Sequence, residues 1–110
     1  MVNFVPVIIT TTGDDREVLD SLAKALVDRR LAACVQISGP ITSCYRWEGK
    51  VESAEEFSCS IKTASHLQDQ VESVVNELHN YDVPQLITVE VNGGSKEYLN
   101  WVQAALEPNS

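Results

Sequence analysis

Two alternating runs joined by a short turn constrain this chain more than any other feature. From Leu31 the apolar period is two, through Ala33, Val35 and Ile37, and after an interruption at Gly39-Pro40 it resumes at Ile41, Ser43, Tyr45 and Trp47. Glu48-Gly49-Lys50 supplies a turn, and Val51, Phe57, Cys59, Ile61 and Thr63 mark the returning strand. The spacing predicts one long hairpin with a bend or bulge near Gly39. The whole chain has 110 residues, enough for one ordinary core, and residues 1–110 are read as a single domain. At about 3.3 Å per residue the arms would outreach a body of that size. An exposed edge of such length invites aggregation, so the projecting arms are expected to pair with a neighbouring subunit.

The other elements follow from their periods. Phe4 to Thr11 is short and β-branched and predicts a first strand buried on both faces, with Pro6 near its start. Asp14 and Glu17 form a capping-box spacing ahead of a helical stripe of Val18, Leu19, Leu22, Ala23, Leu26 and Val27, and Arg29 and Arg30 suit the helix C-terminal dipole. Ser65 and Gln68 repeat the capping pattern before Leu67, Val71, Val74, Val75 and Leu78. Leu86 to Val91 predicts a fourth strand, and Gly93-Gly94 turns the chain into a short helix carrying Tyr98, Leu99, Val102 and Leu106; only the tail from Glu107 to Ser110 looks loose. The order β-α-β-β-α-β-α predicts an α+β, ferredoxin-like split β-α-β sandwich: a four-stranded antiparallel sheet with two helices on one face and an extra C-terminal helix.

Charge and composition narrow the function classes. Eight basic against sixteen acidic residues leave a net charge of -8, which argues against nucleic acid and anionic membranes as partners and leaves cations open. No run approaches the roughly 18 apolar residues of a membrane span, and no secretory leader is evident in the first thirty residues, so a cytoplasmic location is expected. Cys34, Cys44 and Cys59 are odd in number and lack C-x-x-C spacing, which points to buried reduced thiols rather than a disulfide framework.

None of the phosphate-binding, nucleotide-binding, hydrolase, zinc-protease or calcium-loop signatures occurs, so the chain reads as a non-enzyme with no organic cofactor. His79 ends the second helix, where it can cap carbonyls or ligate a metal, with Tyr81 and Asp82 as neighbouring oxygen donors. His66, in the first turn of that helix, is expected to face solvent. Tyr45 and Trp47 share one face of the projecting arm, as anchors of a subunit interface or as the floor of a ligand site. Lys62 is expected to point into an inter-subunit groove with Tyr81. Glu48, Glu52, Glu55 and Glu56 gather around the hairpin end near Lys50 and are expected to face water.

Several short motifs together carry a resemblance. Leu31-Ala32-Ala33-Cys34-Val35, Ile41-Thr42-Ser43-x-Tyr45-x-Trp47-x-Gly49-Lys50, Ile61-Lys62-Thr63, His79-x-Tyr81-x-x-Pro84 and Tyr98-Leu99-x-Trp101 are similar, in order and spacing, to the CutA family of divalent-cation tolerance proteins. The resemblance implies a ferredoxin-like subunit in a tight homotrimer, a cytosolic location, and tolerance of divalent metals, with copper(II) the first cation to consider. Some bacterial relatives carry a cysteine near the end of strand one and two adjacent histidines before the loop; the matching positions here are Thr11, Leu78 and His79. The metal candidates are therefore His79, then Asp82 and Cys34. The likeness to trimeric PII signalling proteins implies an alternative, a small-molecule or protein ligand in an inter-subunit cleft lined by Tyr45, Trp47, Lys62, Tyr81 and Trp101.

Overall fold

The structure, a computed structural model, describes residues 3–108. Its elements are β1 (Pro6–Gly13), α1 (Arg16–Asp28), β2 (Cys34–Trp47), β3 (Lys50–Ala64), a 3-10 turn (Ser65–Leu67) running into α2 (Gln68–Leu78), β4 (Ile87–Glu90) and α3 (Lys96–Ala105). The strands form one antiparallel sheet in the order β2-β3-β1-β4, as the element order predicts. Part of the tail expected to be loose, Asn109 and Ser110, lies outside the described residues.

Burial in β1 alternates residue by residue, so the strand is buried on one face within the chain and not on both. Val7 and Ile9 point inward and join Cys59 and Ile61 of β3 beneath Leu19, Leu22 and Leu26 of α1 and Val71 and Val75 of α2, all essentially inaccessible to water. Two polar side chains share this layer: Thr63 donates from Oγ1 to the Leu31 carbonyl at 2.6 Å, whereas the buried Thr11 hydroxyl has no hydrogen-bond partner among the described residues. Burial pushes the Cys59 thiol up to about 11. The expectation of buried thiols holds for Cys59 only; Cys34 is half-buried and Cys44 is exposed, because β2, which carries both, is an edge strand whose far end runs out into the projecting arm.

The helix ends depart from the capping patterns in instructive ways. Asp15, not Asp14, caps α1, its Oδ1 accepting from the Glu17 and Val18 amides at 3.0 and 3.4 Å. Arg29 and Arg30 lie beyond the last turn: Arg30 turns left-handed (φ 57°), and the Leu31 amide returns to the Leu26 carbonyl at 2.9 Å. At α2 the capping box is not formed. The Ser65 amide pairs with the Val5 carbonyl at 2.9 Å, which prolongs the β1 edge contact, and the chain enters the helix through the 3-10 turn with no side-chain cap.

The hairpin is as long as its alternation predicts. The β1 ladder ends at Gly13 opposite Phe57, while β2 and β3 continue to pair from Ile41 opposite Glu56 to Trp47 opposite Lys50. Those seven residues per arm project about 23 Å. The chain is correspondingly long, 47 × 26 × 22 Å, with a radius of gyration of 14.8 Å against about 13 Å for a compact body of this length. Where the arm leaves the sheet, the register shifts between Ser38 and Ile41, at the expected bulge. Gly39 has φ 136°, and a Cβ there would lie 3.0 Å from Phe57 Cδ1 and 3.1 Å from the Glu56 carbonyl oxygen.

Gly39→Ala is expected to cost about 1–3 kcal/mol through backbone strain, and Leu22→Ala about 2–5 kcal/mol through loss of core packing. Urea unfolding checks both; a Gly39→Ala midpoint equal to that of the parent would contradict the strained bulge. The Cys59 thiol is expected to resist alkylation at pH 8 until the protein unfolds. Because the unfolded thiol ionises near 9.0 and the folded one near 11, the native state holds the extra proton in between. This thiol's contribution to stability is therefore complete below pH 9 and declines as pH rises through that window, which melts at graded alkaline pH would reveal.

Candidate functional site

Where β1 stops and the hairpin continues, the segment after α2 folds over the strand end. His79 caps α2 in an extended conformation, its amide bonded to the Val75 carbonyl at 2.9 Å. Its ring is buried, and Gly13 makes room for it: a Cβ at Gly13 would meet His79 Nε2 at 3.2 Å. Nδ1 accepts the Tyr81 amide hydrogen at 3.0 Å, so the ring proton resides on Nε2, which donates to the Thr12 carbonyl at 2.7 Å. The histidine thus ties the loop to the last turn of β1 rather than capping helix carbonyls. Asn80 Nδ2 adds a 3.0 Å bond to Asp14 Oδ1, and the Thr12 hydroxyl donates to Gln85 Oε1 at 3.4 Å.

With the loop anchored, Tyr81 lies against the His79 ring, centroids 4.7 Å apart, and its hydroxyl donates to Glu56 Oε2 at 2.7 Å. Burial, then the hydrogen bond and charge of Glu56, then the Asp14 and Tyr45 charges, raise the Tyr81 phenol well above its ordinary value, so it stays a neutral donor. Glu56 is only 8% exposed, contrary to the expectation that all four acids near the hairpin end face water. Its register position opposite Ile41 sets it at the hairpin base, under Tyr81, instead of at the tip. The ion pairs among the described residues, Arg16–Asp20 and Arg29–Glu77, do not include it.

These elements line an open cleft of about 640 Å³ whose lining includes Cys44, Tyr45, Trp47 and Glu56 of the hairpin and Tyr81 and Asp82 of the loop. Three of the five residues expected in a shared cleft, Tyr45, Trp47 and Tyr81, are gathered here. Lys62 is not. It pairs in register with Cys34, hydrogen-bonds Gln36, and lines a separate recess under α3 with Tyr98. Trp101 stacks on Tyr98 at 5.7 Å, on the outside of that helix. The expected groove shared by Lys62 and Tyr81 is therefore not formed within the chain.

The metal candidates are likewise divided. Asp82 lines the cleft, and His79 lies beneath it with both ring nitrogens engaged. Cys34 stands opposite Lys62, four residues along β3 from the Ser58 that faces Thr12, and so about 13 Å along the sheet from the His79 contact. The cysteine on the cleft wall is instead Cys44. No three His, Cys, Asp or Glu side chains among the described residues stand close enough to hold a metal ion, so one chain alone does not present a ready-made metal centre. Glu56 and Cys44 were not singled out as site residues from the sequence. The β2–β3 register, which alternation alone does not fix, places Glu56 opposite Ile41 and so on the face of Tyr45 and Trp47, and its burial depends on a loop 25 residues away.

An α+β sandwich with a projecting hairpin and an aromatic, acidic cleft at the hairpin's base is the class of molecule these features define. Residues 7–105 match the profile of the family described as CutA1 divalent ion tolerance protein. The divalent-cation tolerance protein CutA of Thermus thermophilus is 38% identical over 96 residues, covering 87% of this chain and 93% of that protein. The chloroplastic protein CutA of Arabidopsis thaliana is 41% identical over 97 residues, which is 88% of this chain and 53% of that longer protein. Among solved structures, the periplasmic divalent cation tolerance protein CutA of Archaeoglobus fulgidus superposes with a TM-score of 0.89 at 36% identity, covering 93% of this chain and 99% of the other. The chain belongs to the CutA1 divalent ion tolerance family.

His79→Ala removes two bonds that hold the loop and is expected to destabilise the fold by about 1–3 kcal/mol. Long-range nitrogen–proton NMR of the imidazole checks the tautomer directly. A proton on Nε2 is expected, and one on Nδ1 would contradict the bond from the Tyr81 amide.

Proposed function

We propose that this chain is a non-enzymatic, cytosolic, homotrimeric protein that binds divalent cations, copper(II) first among them, and contributes in that way to metal tolerance. The projecting hairpin carries the oligomeric part of this reading. Beyond Gly13 no further strand among the described residues lies beside the arms, and Ile41, Tyr45, Trp47 and Val51 leave large apolar surfaces exposed. Backbone edges and apolar faces of that kind are satisfied when a second and a third copy add their own strands. Family membership and the chain's charge of -8 support the cation part. No helix among the described residues is long and apolar enough to cross a membrane, in keeping with a cytosolic role.

Within this reading His79 and Asp82 remain the leading donors at a subunit boundary, and Cys34 enters the set only from a neighbouring subunit, since it is remote from His79 in its own chain. For the imidazole to take a cation, Nδ1, which carries the lone pair in this tautomer, must release the Tyr81 amide; metal binding then draws on a bond that seats the loop.

Native mass spectrometry of metal-free protein, before and after equilibration with excess copper(II), tests both parts at once. The expected spectrum is a trimer that acquires three coppers, and a His79→Ala trimer that does not acquire them. A monomer would overturn the assembly, a trimer that stays metal-free would overturn copper binding, and full copper loading of His79→Ala would remove that residue from the ligand set.

A further inference from the structure

The link between β4 and α3 reads Val91-Asn92-Gly93-Gly94-Ser95. It leaves the sheet where the Val91 amide donates to the Pro6 carbonyl at 2.9 Å, and it enters α3 at Ser95, whose Oγ accepts from the Tyr98 amide at 3.3 Å. Between these anchors two adjacent groups are unengaged: neither the Asn92 carboxamide nor the Gly93 amide has a hydrogen-bond partner among the described residues. Gly93 has no side chain to shield its nitrogen, and a Cβ built on it would meet no atom within 4 Å. No regular secondary structure holds the segment, so the Gly93 nitrogen is free to turn toward the side chain that precedes it. Other asparagines are placed differently. Asn80 Nδ2 donates to Asp14 Oδ1, and the amide that follows it, of Tyr81, is held by His79 Nδ1. Asn76 and Asn100 lie inside α2 and α3, where the following amides belong to the helix ladder.

We propose that Asn92 is a site of spontaneous deamidation and isomerisation in the folded protein, and that the isoaspartyl product loosens the seat of α3. The Gly93 amide nitrogen gives its proton to solvent base and attacks Asn92 Cγ; the N–Cγ bond forms, the Cγ–Nδ2 bond breaks, and the leaving nitrogen takes up a proton as ammonia. One water then opens the succinimide. Addition at Cγ gives aspartate, and addition at the Asn92 main-chain carbonyl gives isoaspartate, whose backbone runs through the former side chain and is longer by one methylene. The link has little slack for that methylene: a Cβ at Gly94 would lie 3.3 Å from both Cγ and Cδ1 of Leu99. The helix itself is lightly held. Val102 is its buried residue, Arg30 Nη1 donates to the Ala105 carbonyl at 3.2 Å at its far end, and a recess of about 150 Å³ lies between it and the sheet. An element with so few buried contacts yields to a shift in its anchor. The reaction is internal to the link and draws on neither the metal candidates nor the arms proposed to be covered by other copies.

For the test, the whole protein is incubated at pH 8 and 37 °C, digested under mildly acidic conditions and mapped by electron-transfer fragmentation, which separates isoaspartate from aspartate. Asn92 is expected to convert at a rate within tenfold of that of a free Val91–Ser95 peptide, with isoaspartate the main product, while Asn76, Asn80 and Asn100 stay intact. Gly93→Ala, which the open space around Gly93 accommodates, is expected to slow conversion at least tenfold without moving the urea midpoint. Conversion slower than the stated range, conversion no faster than that of Asn80, or a rate unchanged by Gly93→Ala would each overturn the site. Hydrogen exchange of the isolated isoaspartyl form tests the consequence. The α3 amides are expected to exchange at least fivefold faster than in the unmodified protein, and equal exchange overturns the loosening of α3.

Discussion

The β2–β3 ladder outruns the rest of the sheet, and most of the structure's character follows from that mismatch. A strand pair that continues for seven residues per arm beyond Gly13 has no third strand beside it among the described residues. Such an arm is stable only if something lies against it. At its base the chain supplies the cover itself, by folding the segment after α2 over the end of β1. Farther out Trp47 and Val51 are exposed, and in the proposed assembly other copies of the chain cover them. The bulge at Gly39 marks where the arm begins, since the β2–β3 register shifts there and the ladder resumes at Ile41 opposite Glu56.

The cleft is a consequence of the same geometry. His79 has a structural task before any chemical one: one ring nitrogen holds the backbone of Tyr81 and the other holds the backbone of Thr12, so helix end, loop and strand end are fixed relative to one another. That places the Tyr81 hydroxyl on Glu56 and forms one wall of the cleft against the hairpin. A residue with both nitrogens so engaged couples anything that binds it to the seating of the loop and so to the shape of the neighbouring aromatic cleft.

Much of this was legible in the sequence because it rests on local periods. The alternation from Leu31 to Thr63 specified the hairpin and the Gly39 bulge, and the helical stripes specified which faces of α1 and α2 enter the core. Errors arose where a residue's partner lies far away in the chain. Asp14 and Asp15 are equivalent as local cap candidates, and only the structure shows which one meets the helix amides. Ser65 has the sequence of a cap but its amide is taken by Val5 on another strand. Glu56 reads as one of several surface acids until Tyr81, far along the chain, covers it. Each of these depends on a contact between segments 25 or more residues apart, except the cap, which depends on a single-residue choice between like side chains.

The central claim is that the projecting arms exist to be covered by other copies of the chain. Hydrogen exchange of the outward-facing amides in residues 41–47 and 50–56, followed over a dilution series, tests it most directly, because those amides have no partner strand within the chain. The account predicts strong protection while the protein is assembled and its loss when dilution separates the subunits. Rapid exchange of the same amides at high protein concentration, equal to that of a free strand edge, would contradict it.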